Sequence, residues 1–156
     1  MKYPIAVLLH NIRSAHNVGA IFRTADGAGV SQIYLSGYTP APRDRFGRVQ
    51  KEIAKTALGA EKTIPWEYAK APRVFLKKAR ESGMYIVGIE QDARARDYRT
   101  FIPERSTLFV FGNEVRGLSA QMKNICDDLV EIPMFGKKES LNVATTAGII
   151  LFSAIR

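Results

Sequence analysis

The sequence predicts one α/β domain built on an open, mostly parallel sheet with helices on both faces. Three observations predict it: apolar runs alternate with helical patterns along the chain, the strand-like runs lack polar alternation, and polar turns directly follow several of them. A parallel sheet is covered on both faces by its crossover helices, so its strands read as continuous apolar runs. Ligands of such sheets bind beyond the carboxyl ends of the strands. The turns His10 to Asn17, Gly112 to Ser119 and Pro133 to Asn142 follow predicted strands, carry polar residues that packing does not demand, and should converge at one edge.

In chain order, IAVLLH is the first strand, Val18 to Gly29 a helix and QIYLSG the second strand. Residues 37–48, GYTPAPRDRFGR, mix prolines, glycines and arginines without periodicity and read as an exposed loop. A long basic stretch follows, and then MYIVGIE, TLFVFG and DLVEIP supply three more strands. The last helix, Ser140 to Arg156, carries Leu141, Val143, Ala147, Ile149, Ile150, Leu151, Phe152 and Ile155 around nearly its whole circumference. A helix apolar on all sides is buried on all sides. In a chain this small, its own core takes one face and a second subunit the other, which predicts a homodimer through this helix; a central core helix in a monomer is the other reading.

With 156 residues, 46% of them hydrophobic and 24% charged, the chain can build a single core and is not disordered. Its apolar runs are far shorter than a membrane span and its first residues lack the pattern of a signal peptide, so a cytoplasmic protein without membrane contact is expected. The single cysteine, Cys126, can form no internal disulfide, and with His10 and His16 it gives no zinc spacing, so no metal is expected. The net charge of +8 favours a polyanionic partner. Its basic residues crowd the middle third, as Arg43, Arg45, Arg48, Lys51 and Lys55 and then Lys62, Lys70, Arg73, Lys77, Lys78 and Arg80. Phe46, Trp66 and Tyr68 are interleaved there; stacking on unpaired bases would suit RNA, and a solvated helix face with core aromatics suits the pattern equally.

The turn after TLFVFG bears most directly on chemistry. Gly112 and Gly117 have the spacing of a nucleotide P-loop and Ser119 stands in its final position, but Leu118 replaces the phosphate-holding lysine and Glu114 adds an anion. Such a turn suits a ligand with positive charge or hydrogen-bond donors better than a polyphosphate. The first strand is followed by HNIRSAHNVG rather than G-x-G-x-x-G, and no G-x-S-x-G is present, which argues against a dehydrogenase or a serine hydrolase.

Three segments together, NIRSAHNVGAIFRTADGAGV, LFVFGNEVRGLS and IPMFGKKESLNVATTAGIIL, resemble the SpoU (TrmH-like) family of the SPOUT class of RNA methyltransferases, over essentially the whole chain. The resemblance implies a parallel α/β sheet whose C-terminal part forms a trefoil knot, a dimer, and S-adenosylmethionine as methyl donor. It implies a cofactor pocket lined by Gly112, Glu114, Gly117, Ile132, Met134, Ser140, Leu141 and Asn142. Asn17 and Arg23 match the family's motif asparagine and arginine. Asn17 also stands where a helix begins and could cap it. Arg23, between Phe22 and Thr24 in an otherwise apolar helix, reads as a buried arginine needing a polar pocket or an anion, with a pair to Asp26 as the competing account.

The activity so implied is methyl transfer to a ribose 2′-hydroxyl of tRNA or rRNA, without metal. Arg23 would orient the hydroxyl, with Asn17, Glu114, Ser140 and Asn142 holding the reactants in register. A related SPOUT enzyme that methylates a base, or an inactive RNA-binding module of the same fold, are the alternatives. With only Met1 to Tyr3 before the first strand, the expectation is one domain over 1–156 without an added RNA-binding domain. RNA contacts would then fall to Arg13, in its loop, and to Arg43, Arg45, Arg48, Lys77 and Lys78.

Overall fold

The computed structural model describes residues 2–155. In chain order the elements are β1 (Ile5–His10), α1 (Ala15–Gly27), β2 (Gln32–Ser36), α2 (Lys51–Ala57), α3 (Ala60–Thr63), β3 (Trp66–Tyr68) and α4 (Pro72–Glu81), then β4 (Tyr85–Ile89), β5 (Arg96–Asp97), a 3-10 turn (Tyr98–Thr100), β6 (Thr107–Phe111), α5 (Ala120–Ile125), β7 (Asp128–Glu131) and α6 (Val143–Ala154). The strands form one sheet in the order β3-β2-β1-β6-β4-β7-β5, and every ladder in it is parallel. The unbroken apolar runs predicted this, because a crossover covers each face of such a strand. Val7 of β1 registers with Ile33 of β2 on one side and Phe109 of β6 on the other.

Successive residues of a strand face opposite sides, and the core divides accordingly. Ile5, Val7, Leu9, Phe109 and Phe111 pack with α1, α2 and α6, whereas Ala6, Leu8, Leu108 and Val110 pack with α4 and α5. All five residues of β6 are buried, as befits the middle strand of the sheet. Each buried Leu, Ile, Val or Phe contributes about 1.5–3 kcal/mol relative to exposure, so these two layers carry most of the stability.

The basic middle stretch resolves into α2, α3, the short edge strand β3 and α4. Neither β3 nor β5 has an apolar run long enough to announce itself, and both sit at sheet edges, where short strands are usual. β7 lies between β4 and β5, which are consecutive in the chain, so residues 90–95 cross β7 near its carboxyl end. α6 then returns over the sheet to pack on α1. It begins later than the apolar pattern suggests, and only Val143, Ala147, Ile150 and Leu151 are buried. The expectation of burial on all sides is therefore not met within one chain: Phe152 remains 50% exposed. No helix among the described residues is long and apolar enough to cross a membrane.

Candidate functional site

The three polar turns do converge at the carboxyl edge of β1, β6 and β7, and hydrogen bonds fasten them together. β6 runs into a turn that folds back on itself, with Asn113 and Gly117 forming an antiparallel bridge. A Cβ on Gly112 would stand 2.6 Å from the carbonyl carbon of Gly117 and 2.8 Å from the Leu118 nitrogen. Gly117 has φ +64°, and a Cβ there would meet Glu90 Oε2 at 2.0 Å. Both glycines are thus required by the turn's own closure, rather than by the close approach of a ligand.

Glu114 ties this turn to the one after β1. Its carboxylate accepts hydrogen bonds from the backbone N–H of Arg13 at 3.1 Å and of Ser14 at 3.2 Å. Burial pushes its pKa up, but those donors and the Asn17 amide outweigh burial and hold the carboxyl below the ordinary glutamate value. The cap of α1 is Ser14, whose hydroxyl accepts from the Asn17 N–H, so the capping role expected of Asn17 falls to Ser14 instead. Freed of capping, Asn17 accepts at Oδ1 from Asn142 Nδ2 at 3.2 Å. Asn142 in turn caps α6, accepting from the N–H groups of Ala144 and Thr145. Glu114, Asn17 and Asn142, one from each motif, make a continuous polar chain.

Beside this chain lies a cleft lined by Ile89, Glu90, Gln91, Phe111, Gly112, Glu114, Gly117, Glu131, Ile132, Met134, Ser140 and Leu141 among others. Every residue expected to line a cofactor pocket is there except Asn142, which stands beside it as the α6 cap. In a chain of net charge +8, the cleft's lining holds three carboxylates, Glu90, Glu114 and Glu131, and neither lysine nor arginine. With its apolar walls, it suits a flat, partly apolar ligand bearing positive charge.

Two residues that the sequence reading did not single out belong to this edge. Asn113, 8% exposed, donates from Nδ2 to the Asn11 carbonyl at 3.0 Å and to the Tyr38 hydroxyl at 2.9 Å, and accepts at Oδ1 from the N–H groups of Val115 and Arg116. Glu90 accepts the Leu118 N–H at 2.8 Å and so closes the glycine turn from the end of β4. The carboxyl-end rule, applied to MYIVGIE as it was to the other strands, points to Glu90, and the Asx-turn chemistry of Asn before a tight turn points to Asn113.

Arg23 is elsewhere. The expectation of a buried arginine is wrong: it is exposed, and it lines a separate hollow with Thr24 and Gly27 of α1, Lys55 and Thr56 of α2, Leu58 and Phe152. Six residues beyond Asn17, it stands about 9 Å further along the helix and on another side of it. Asp26 takes the Thr63 hydroxyl at 3.0 Å. Arg13 is exposed at the lip of the cleft, and Arg43, Arg45 and Arg48 are exposed in the connection from β2 to α2. Lys77 and Lys78 are exposed on α4, on the opposite face of the sheet from α1 and α6, so the expected RNA contacts do not form one continuous patch. Trp66 packs against the core, while Tyr68 is 46% and Phe46 67% exposed.

Known proteins share this fold. The chain matches the SpoU rRNA Methylase family over residues 4–152. It is similar to a 23S rRNA (guanosine-2'-O-)-methyltransferase RlmB from Neisseria meningitidis, 34% identical over 148 residues that make up 95% of this chain and 56% of that protein. Among solved structures, the AdoMet-bound rRNA methyltransferase of Sinorhizobium meliloti superposes with a TM-score of 0.86 at 32% identity, over 96% of this chain and 55% of that one. The A. aeolicus TrmH/SpoU tRNA modifying enzyme superposes at 0.85 with 28% identity, over 99% and 75% of the respective chains. This chain spans little more than half the length of the RlmB relatives it matches. A match of the family's model over residues 4–152, nearly the whole length, makes this chain a member of the SpoU rRNA Methylase family.

Proposed function

We propose that this protein transfers a methyl group from S-adenosylmethionine to a ribose 2′-hydroxyl of tRNA or rRNA. The observation that carries the reading is the cleft: three carboxylates and no cation in a strongly basic chain, at the meeting point of the three motifs. These residues fit S-adenosylmethionine, whose cationic sulfonium supplies an electrophilic methyl group and whose adenosine can lie against Ile132, Met134 and Leu141. Gly112 and Gly117 shape the turn, and Glu114, Ser140 and Asn142 supply polar groups around it. AdoMet bound in two similar structures, an rRNA methyltransferase and a SpoU methyltransferase, supports the assignment.

The chemistry asked of the chain is positioning. A hydroxyl must be held in line with the methyl group and its developing negative charge stabilised; such alignment is worth about 7–11 kcal/mol in favourable systems. A guanidinium is a donor only, so Arg23 orients the ribose hydroxyl and stabilises the negative charge that develops on its oxygen, while the hydroxyl proton passes to a neighbouring RNA phosphate or to water as the O–CH3 bond forms and the S–CH3 bond breaks. Asn17, one helix with Arg23, keeps that helix in register with Glu114 and Asn142.

Arg23 lies outside the cleft of its own chain, and that supports a shared site. The hollow around it is flanked by Leu58, 66% exposed, and Phe152, 50% exposed, which a second copy packed along α6 would cover. We infer a homodimer through α6 in which Arg23 serves the partner's cleft. The insertion of β7 between β4 and β5 supports the C-terminal knot that the resemblance implies. Action on tRNA or rRNA would place the protein in the cytoplasm.

The test is transfer of tritiated methyl groups from S-adenosylmethionine to total RNA, followed by nucleoside analysis. Label in 2′-O-methylated nucleosides is expected. Label confined to bases would replace ribose chemistry with base methylation, and cofactor binding without any transfer would indicate an inactive RNA-binding module.

A further inference from the structure

The cleft and the α6 face leave one ordered feature without a role beyond its charge. Between β2 and α2, Arg43 and Val49 pair as an antiparallel bridge and close a turn. Asp44 organises it, accepting at Oδ1 from the N–H groups of Phe46 at 2.8 Å and Arg48 at 3.0 Å, and at Oδ2 from Arg48 Nε at 2.8 Å. Arg43 Nη1 donates to the Gly47 carbonyl at 2.8 Å. The loop expected from the sequence is therefore a preformed knuckle, and what it presents to water is the Phe46 ring, 67% exposed.

That ring is flanked by cations. The Arg45 guanidinium lies 4.8 Å and the Arg48 guanidinium 5.0 Å from its centroid. Flat apolar and cationic surfaces side by side match one chemistry closely: a nucleobase with phosphates on either side, the base stacking on the ring or on a guanidinium plane. A duplex already stacks both faces of its bases, so the platform can serve only unpaired nucleotides. The root of the same connection is fixed at the catalytic edge, because Tyr38 donates its N–H to Asn11 Oδ1 and accepts at its hydroxyl from Asn113. The cleft itself lacks cations, so RNA phosphates must be held outside it.

We propose that the Arg43–Val49 turn is a nucleobase-stacking site with Phe46 as its platform, which holds an unpaired nucleotide of the substrate RNA beside the one that is methylated. The inference rests on the RNA reading above. Its test uses a short single-stranded oligouridylate carrying one 2-aminopurine, whose fluorescence is quenched by stacking, and a duplex of the same length. Wild type is expected to quench the single strand. Phe46→Ala should lose the quenching and bind about tenfold more weakly, Phe46→Trp should restore both, and S-adenosylmethionine affinity should stay unchanged in all three proteins.

Binding and quenching unchanged in Phe46→Ala, or a loss that Phe46→Trp does not restore, would overturn the stacking site and leave the methyltransferase reading intact. Failure of the wild type to quench would do the same. Equal use of the duplex would also overturn it. A change of oligomeric state in Phe46→Ala, followed by sedimentation, would make the turn a contact between subunits instead. Loss of cofactor binding by the wild type, in contrast, would undermine the functional reading itself.

Discussion

Asn17 and Arg23 share one helix, yet their surroundings are opposite. Asn17 is locked between Glu114 and Asn142 at a concave edge whose polar groups come from three distant segments. Arg23 stands exposed in an open hollow beside Leu58 and Phe152, large apolar side chains that this chain leaves partly uncovered. On the proposed reading, one chain completes the pocket for a small cationic ligand but not the surface where the second substrate would react. Folding alone would preorganise the first; the second would depend on association.

The largest effect that could break this comparison lies in the glycine turn. Gly112→Val should destabilise the fold by about 3 kcal/mol and remove S-adenosylmethionine binding, because its Cβ would overlap backbone of Gly117 and Leu118 that has nowhere to move. Thermal denaturation and calorimetry check both effects. Arg23→Ala should do the reverse, leaving stability and cofactor affinity untouched while methyl transfer falls about 100-fold. A cofactor affinity that fell with it would place Arg23 in its own cleft.

A third outcome sharpens the role of association. Phe152→Glu should shift sedimentation to the monomer and abolish transfer, yet retain cofactor binding. Mixing inactive Arg23→Ala with inactive Asn142→Ala chains should recover activity, since a mixed dimer then holds one intact pair of Arg23 and cleft; an inactive mixture would assign Arg23 to the cleft of its own chain.

Two smaller effects concern titration. The Glu114 carboxyl is held below its ordinary value, because backbone N–H donors outweigh burial, so its contribution is full above the usual glutamate range and is lost as pH falls through the lowered value. Wild type should exceed Glu114→Gln by about 1 kcal/mol at neutral pH, a gap that closes in strong acid in pH-dependent melts. On the far face of the sheet, burial pushes the Cys126 thiol up to about 12, so the native protein should resist alkylation at neutral pH and react once unfolded.

Much of this was legible in the residues. The continuous apolar runs gave a parallel sheet because only strands covered on both faces can lack alternation, and the carboxyl-edge rule brought Glu114, Ser140 and Asn142 to one place. Arg23 is not buried although Phe22 beside it is, because neighbours in a helix point their side chains in different directions. Adjacent helical positions lie about 100° apart, so Ile21, Phe22 and Ala25 can face the core while position 23 faces out. Of the two roles open to Asn17, the cap goes to Ser14, three residues earlier, because its hydroxyl reaches the Asn17 N–H. β5, of two residues, has no periodicity to detect, and its place beside β7 is a long-range fact that no local pattern encodes. The proposed covering of Phe152 by a second copy would belong to association, which a single chain's pattern can suggest but not place.

The most direct test of the central claim is a calorimetric titration of the protein with S-adenosylmethionine and with its demethylated product, on wild type and on the Glu114→Ala, Asn142→Ala double variant. The account predicts saturable binding to the wild type, weakened in the variant and independent of Arg23. A folded wild type that binds neither compound, with or without total RNA present, would contradict it.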